Sequence, residues 1–224
     1  MLEDRGAVVI HVPLITIEEP ADGGERLQSE LDALDRYDWL VVTSVAGADR
    51  VAEAAATGRV RLAAVGVSTA DRLATVTGRE VDLVPSPQRA EALADELIDL
   101  AGDDTWRILV AQGDLADGAL TGRLRTAGHQ VTDVVAYRTV ARRPELQGRA
   151  DIVDADALAL ASGSAARSWV EAFGTDAPAV VVAIGPTTAR VAGEIGLKVS
   201  SVAADHSLEG LVTALEHQLS RLGP

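Results

Sequence analysis

The sequence contains no cysteine, which removes disulfides, thiolate nucleophiles and cysteine-ligated metals together and leaves the redox compartment open. Lysine occurs once, at Lys198, and the formal net charge is −14. So acidic a chain argues against a nucleic-acid partner, because neutralising phosphates takes a basic face. Nor does that charge steer an anionic substrate from a distance; an anionic ligand must be held by local backbone dipoles and a few arginines. The four histidines, His11, His129, His206 and His217, show neither HxxxH nor HExxH spacing, and no metal site is expected. No basic segment leads into an apolar stretch with a cleavage site, and no apolar run approaches bilayer length, so a cytoplasmic chain without membrane association is expected. Aromatic residues make up only 3% of a chain that is 47% apolar, so the interior must be built from Val, Leu, Ile and Ala. That mixture suits parallel strands covered by helices. The 224 residues favour two small domains.

What the sequence does contain is a repeat. "DWLVVTSVAGADRVAEA" (38–54) pairs with "DALALASGSAARSWVEA" (156–172), aligning Ser44 with Ser162. "AVGVSTADRL" (64–73) pairs with "AIGPTTARVA" (183–192), and "RAEALADEL" (89–97) with "SLEGLVTAL" (207–215), all at offsets of 118 or 119 residues. Three ordered matches at one offset indicate a duplication. Each block reads as an apolar strand, a turn of small or hydroxylated residues and a helix, the pattern of βα units in a parallel sheet. "VDLVPS" (81–86) and "VSSVAA" (199–204) are the strands expected before the last helix of each copy. "GAVVIHVPLITIE" (6–18) matches "GHQVTDVVAYRTV" (128–140), each expected to form an unusually long strand. The copies differ upstream of that match: Arg107 to Ala127 hold the strand "RILVAQ" and the helix "LADGALTGRLRTA", whereas only five residues precede Gly6. A strand and a helix of the first copy are unaccounted for, which in a doubly wound sheet leaves a gap or an unpaired edge.

Taken singly, Ser44, Ser68, Thr69, Ser162, Ser164, Thr187 and Thr188 read as helix N-caps, whose hydroxyls accept from the first free N–H groups. Taken together, they place several helix N-termini at the carboxyl ends of parallel strands, where amides and dipoles bind anions. The readings are compatible. Gly66, Gly185 and the turn "QGDLADG" (112–118), which opens at Gly113, let backbone approach a ligand. GxxxxGK[ST] and GxGxxG are both absent, and a carboxylate-bearing ligand suits these turns better than a nucleotide. Tyr137 has two open readings, cross-strand packing or a protonated phenol serving as general acid. Arg138 is expected on the opposite face in solvent or an ion pair, and Asp38, Trp39 and Trp169 read as structural.

In this order, "PLITI", "DWLVVTS", "AVGVSTADRL", "ILVAQGD", "LTGRLRTAGHQVTDVVAYRTV", "LALASGSAARSWV", "AIGPTTARVAGEIGL" and "SLEGLVTAL" resemble the uroporphyrinogen-III synthase family over nearly all of Gly6 to Leu215. The resemblance implies two similar flavodoxin-like α/β/α domains joined by two antiparallel linker strands, with the active site between them. The first domain would combine 1–17 with 140–224 and the second would be 18–139, with linkers near 13–18 and 135–141. It implies cyclisation of hydroxymethylbilane by a monomer without metal or organic cofactor, Tyr137 protonating the departing hydroxyl. Ser44, Ser162, Ser164, Thr187 and Thr188 fall where the family places substrate-contacting hydroxyls; Thr43, Gly66, Ser68, Gly113 and Gly185 complete the expected substrate-binding set. Three departures stand out. Thr43-Ser44-Val45 replaces Thr-Ser-Pro, Gln112-Gly113-Asp114 replaces Arg-Gly-Asp, and the initial strand ending in Thr-Arg-Pro is the βα unit missing from the repeat. The alternative is a non-catalytic relative that binds a tetrapyrrole or small anion.

Overall fold

The computed structural model describes residues 1–142 and 152–222. They fall into two compact units, one formed by 1–16 with 141–224 and the other by 17–140. For brevity these are unit 1 and unit 2. The boundary passes through strand β1 (Ile15–Glu18) and the end of strand β5 (Gln130–Ala141), so these two strands carry the chain from one unit to the other.

In unit 2, α1 (Glu25–Asp32), β2 (Trp39–Val42), α2 (Val45–Thr57), β3 (Arg61–Ala64), α3 (Val67–Thr77), α4 (Ala90–Ala101), β4 (Arg107–Gly113) and α5 (Ala119–Thr126) precede β5. The strand order is β1-β5-β4-β2-β3, and β5, β4, β2 and β3 run parallel. β2 shows why a parallel sheet results: all four residues of "WLVV" are buried, which requires cover on both faces. Leu40 and Val42 meet Leu62, Leu109, Val51 and Leu73 on one face. Trp39 and Val41 meet Ile108, Val110, Leu93 and Leu124 on the other. Each such side chain contributes about 1.5–3 kcal/mol on leaving water. The amino ends of the strands are closed by packing: the Arg61 guanidinium lies 4.4 Å from the Trp39 ring and 4.5 Å from the Trp106 ring.

Unit 1 holds a three-stranded parallel sheet, β6 (Ala157–Leu160), β7 (Val180–Ala183) and β8 (Ser201–Val202), in that order. Helices α6 (Gly163–Phe173), α7 (Pro186–Glu194) and α8 (Leu208–Leu222) complete it. Leu160 and Val181 pack with Trp169, Phe173 and Leu14 on one face, and Val180 and Val182 with Leu211 and Leu215 on the other.

Two expectations need correction. Residues 7–14 do not form a strand; of the long stretch 6–18, only Ile15–Glu18 is strand. The cause lies in pairing, since strand structure needs a hydrogen-bonded neighbour, and among the described residues β6 bonds to β7 alone. β5 has β4 beside it and keeps its full length. The strand expected at 81–86 is likewise reduced to a single bridge, Ala63 to Leu83.

Candidate active site

The register places the turns of each unit on one edge. In unit 2, Val42 is level with Ala64 and with Ala111, so Thr43-Ser44, Gly66 and Gly113 all leave the sheet at its carboxyl edge. In unit 1, Leu160 is level with Ala183, so Ser162 and Gly185 leave that sheet together.

At this edge the hydroxyls divide into two kinds. Ser44 is the N-cap of α2, its Oγ accepting from Gly47 N–H at 3.0 Å. Ser162 does the same for α6, accepting from Ala165 N–H at 3.0 Å, and its Oγ is also 2.9 Å from the Ser164 hydroxyl. These two serines are engaged in holding their helices. Ser68 and Thr187 are exposed and have no capping duty, whereas Thr69 and Thr188, one residue on, are buried at 6% and 5% exposure. Each repeat therefore turns its first hydroxyl outward and its second inward. Thr43 is half-buried, and its N–H donates to Ala111 O at 3.4 Å.

The glycines at the helix starts have polar neighbours that sequence reasoning missed. A β-carbon on Gly66 would lie 3.0 Å from Gln88 Oε1, and that oxygen accepts from Val67 N–H at 2.9 Å. A β-carbon on Gly185 would lie 3.4 Å from the His206 ring. Gln88 and His206 are themselves 118 residues apart, the repeat offset, which was the signal available for finding them. In each unit the loop before α4 or α8 thus lays a polar side chain against the amino end of the preceding helix, α3 or α7.

Tyr137 lies half-buried on β5, packed against the core that contains Leu40 and Leu109. Its register partner is Gly113, at a shift in the β4–β5 ladder, and its carbonyl accepts from Asp114 N–H at 3.1 Å. Asp114 in turn accepts from Thr139 N–H at 2.9 Å, so the turn after β4 is tied to the strand bearing the phenol. Among the described residues the Tyr137 hydroxyl makes no hydrogen bond, leaving its proton available to a ligand. Arg138 points away, donating to Glu19 O at 2.9 Å and pairing with Glu18 at 3.2 Å. Gln112 is buried and donates to Asp133 Oδ1 at 2.9 Å. Asp38 accepts from Arg107 N–H at 2.7 Å, while Trp39 and Trp169 are core residues.

Among the described residues, no group of His, Asp and Glu could hold a metal ion, and no helix is long and apolar enough to cross a membrane. Parallel α/β units whose helix starts, outward hydroxyls and one free phenol gather at strand ends define a class of α/β protein suited to an anionic ligand. Within that class the chain belongs to the uroporphyrinogen-III synthase family: the model described as uroporphyrinogen-III synthase HemD matches residues 1–213. The family consists of lyases of tetrapyrrole biosynthesis. Solved structures agree on the fold. Uroporphyrinogen-III synthetase from Helicobacter pylori superposes with a TM-score of 0.68 at 19% identity, over 94% of this chain and 92% of that one. A mutant uroporphyrinogen III synthase from Thermus thermophilus gives 0.60 at 20% identity, over 98% and 91%. No curated protein matches the chain closely in sequence.

Proposed function

We propose that the chain cyclises hydroxymethylbilane to uroporphyrinogen III, with Tyr137 as the proton donor. The observation that supports this most is the free phenol on β5 beside the Gly113 turn at the end of β4. The phenol hydrogen-bonds the terminal hydroxyl of the substrate and protonates it as the carbon–oxygen bond breaks, releasing water and an azafulvene. The last pyrrole attacks the azafulvene carbon through its own substituted position, giving a spiro-pyrrolenine. The bond from that carbon to its old methylene bridge then breaks, the ring recloses onto the bridge through its free α-carbon and is thereby inverted, and loss of a proton to the phenolate restores aromaticity. Water is the only product besides the macrocycle, so no oxidant or reductant is consumed.

Within each unit a substrate carboxylate is received by the amino end of one helix, α3 in unit 2 with Ser68 donating from its outward hydroxyl, or α7 in unit 1 with Thr187 donating from its own. Ser44 and Ser162 keep their capping bonds and act through the N–H groups they orient. Holding the two ends of a long flexible substrate together accounts for much of the rate, since orientation alone reaches effective molarities of about 10⁵ M or more.

The test supplies the purified chain with freshly generated hydroxymethylbilane, oxidises the products and separates the type I and type III isomers. Type III above the spontaneous type I background supports the assignment. Type I alone, from chain that melts cooperatively, leaves the family member a binding protein for tetrapyrroles or small anions.

A further inference from the structure

The ladder between β4 and β5 carries one residue too many on the β5 side. Val110 is level with Asp133, Ala111 with Val134 and Gln112 with Val135, but Gly113 is level with Tyr137, so Ala136 has no partner of its own on β4. We infer that this bulge aims the Tyr137 ring and that Asp114 holds the bulge in place. Asp114 is thus a positioning residue, and its effect on turnover rests on the proposed role of the phenol.

The faces of the sheet show what the extra residue does. Val131 packs with the core that contains Trp39 and Ile108, while Val134 and Ala136 belong to the core on the other face, with Leu40 and Leu109. Strict alternation would return Tyr137 to the face of Val131. Instead it shares the face of Ala136, packed against the core of Leu40 and Leu109. Two consecutive residues on one face mark the insertion, and a one-residue bulge of this kind re-aims a side chain. The ring consequently lies over Gly113.

A bulge interrupts the ladder, and Asp114 restores it on both sides of residue 138. Its N–H donates to Tyr137 O at 3.1 Å, and its Oδ1 accepts from Thr139 N–H at 2.9 Å. β4 ends at Gly113, so beyond it the carboxylate supplies the acceptor that strand backbone supplies elsewhere in a ladder. Arg138, between the two bonds, is anchored on Glu18 and on the Glu19 carbonyl. Among the described residues no bond at the hydroxyl holds the Tyr137 ring from its tip, so its direction comes from the strand that carries it. What Thr139 N–H needs is an acceptor, and a charge is not required.

The test compares Asp114→Ala, which removes that acceptor, with Asp114→Asn, whose amide oxygen keeps one. Asp114 is exposed, so neither change disturbs a core. Asp114→Ala should lower kcat for type III product about tenfold with KM within about twofold, and Asp114→Asn should recover most of the loss. In a Tyr137→Phe background, Asp114→Ala should cost no more than about twofold further, because the residue acts through the ring. Ring position is read without substrate by fluorine NMR of protein labelled with 3-fluorotyrosine. The chain has two tyrosines, and Tyr37, buried and bonded to Glu30 at 2.6 Å, serves as the internal reference. Asp114→Ala should move the Tyr137 resonance and leave that of Tyr37 in place. A Tyr137 resonance that stays where it is in Asp114→Ala overturns the inference. So does an equal kcat loss in Asp114→Asn, or a loss that multiplies in full on Tyr137→Phe, which would assign the carboxylate a direct role. If the unmodified chain forms no type III product while the resonance still moves, the proposed reaction fails and the positioning stands.

Discussion

The ring of Tyr137 lies across Gly113 so closely that a β-carbon there would come within 2.8 Å of Cζ and 2.9 Å of the hydroxyl oxygen. The bare glycine is what allows the phenol to rest against the end of β4. The close neighbours are the far end of a side chain that can rotate, so Gly113→Ala should cost little stability while displacing the ring. Activity should fall roughly tenfold to a hundredfold, with denaturant midpoint nearly unchanged. Wild-type turnover in this variant would show that the position of the ring is not used.

Tyr137→Phe keeps the packing against the core and removes only a hydroxyl that has no partner among the described residues. Turnover should drop by roughly a hundredfold, the scale of a lost general acid, and Tm should hold. The assay is the rate of type III product at saturating substrate. A variant that forms it at the normal rate takes Tyr137 out of the chemistry.

The hydroxyls at the helix starts should separate by readout. Ser44→Ala and Ser162→Ala each lose a capping bond and should cost about 1 kcal/mol in urea unfolding. Ser68→Ala and Thr187→Ala, at exposed positions, should leave unfolding unchanged and raise KM. The opposite pattern would reverse the division between structural and substrate-facing hydroxyls.

Gln88→Glu retains an acceptor for Val67 N–H but places a full negative charge at the amino end of α3. The helix dipole should make the folded state more stable by about 0.3–1 kcal/mol. Substrate carboxylates meeting that charge should bind less well, so KM rises as stability rises. A KM that does not change would separate the amino end of α3 from substrate binding.

Much of the fold was readable because its signals are local. A run such as "WLVV" followed by Thr-Ser and helix formers specifies a buried strand and a capped helix without reference to distant residues. "GAVVIHVPL" carries as many β-branched residues as "GHQVTDVVA", yet it is not a strand, since the outcome depends on a neighbour rather than on propensity. The turns of the candidate site were legible because they repeat, whereas Gln88 and His206, which lie against Gly66 and Gly185, sit in loops without a pattern of their own. Gly113 was visible as a turn glycine, but the ring that needs its bareness lies 24 residues away in sequence.

Unit 1 is assembled from both ends of the chain, and the Arg5–Glu216 pair spans 211 residues. During synthesis, unit 2 is continuous and complete once residue 140 has emerged, so it can fold while the ribosome is still translating. Residues 1–16 must wait, with Leu14 unburied, until 152–222 supply Leu160, Trp169 and Phe173 to cover it. The order of folding is thereby the reverse of the order in which the chain begins.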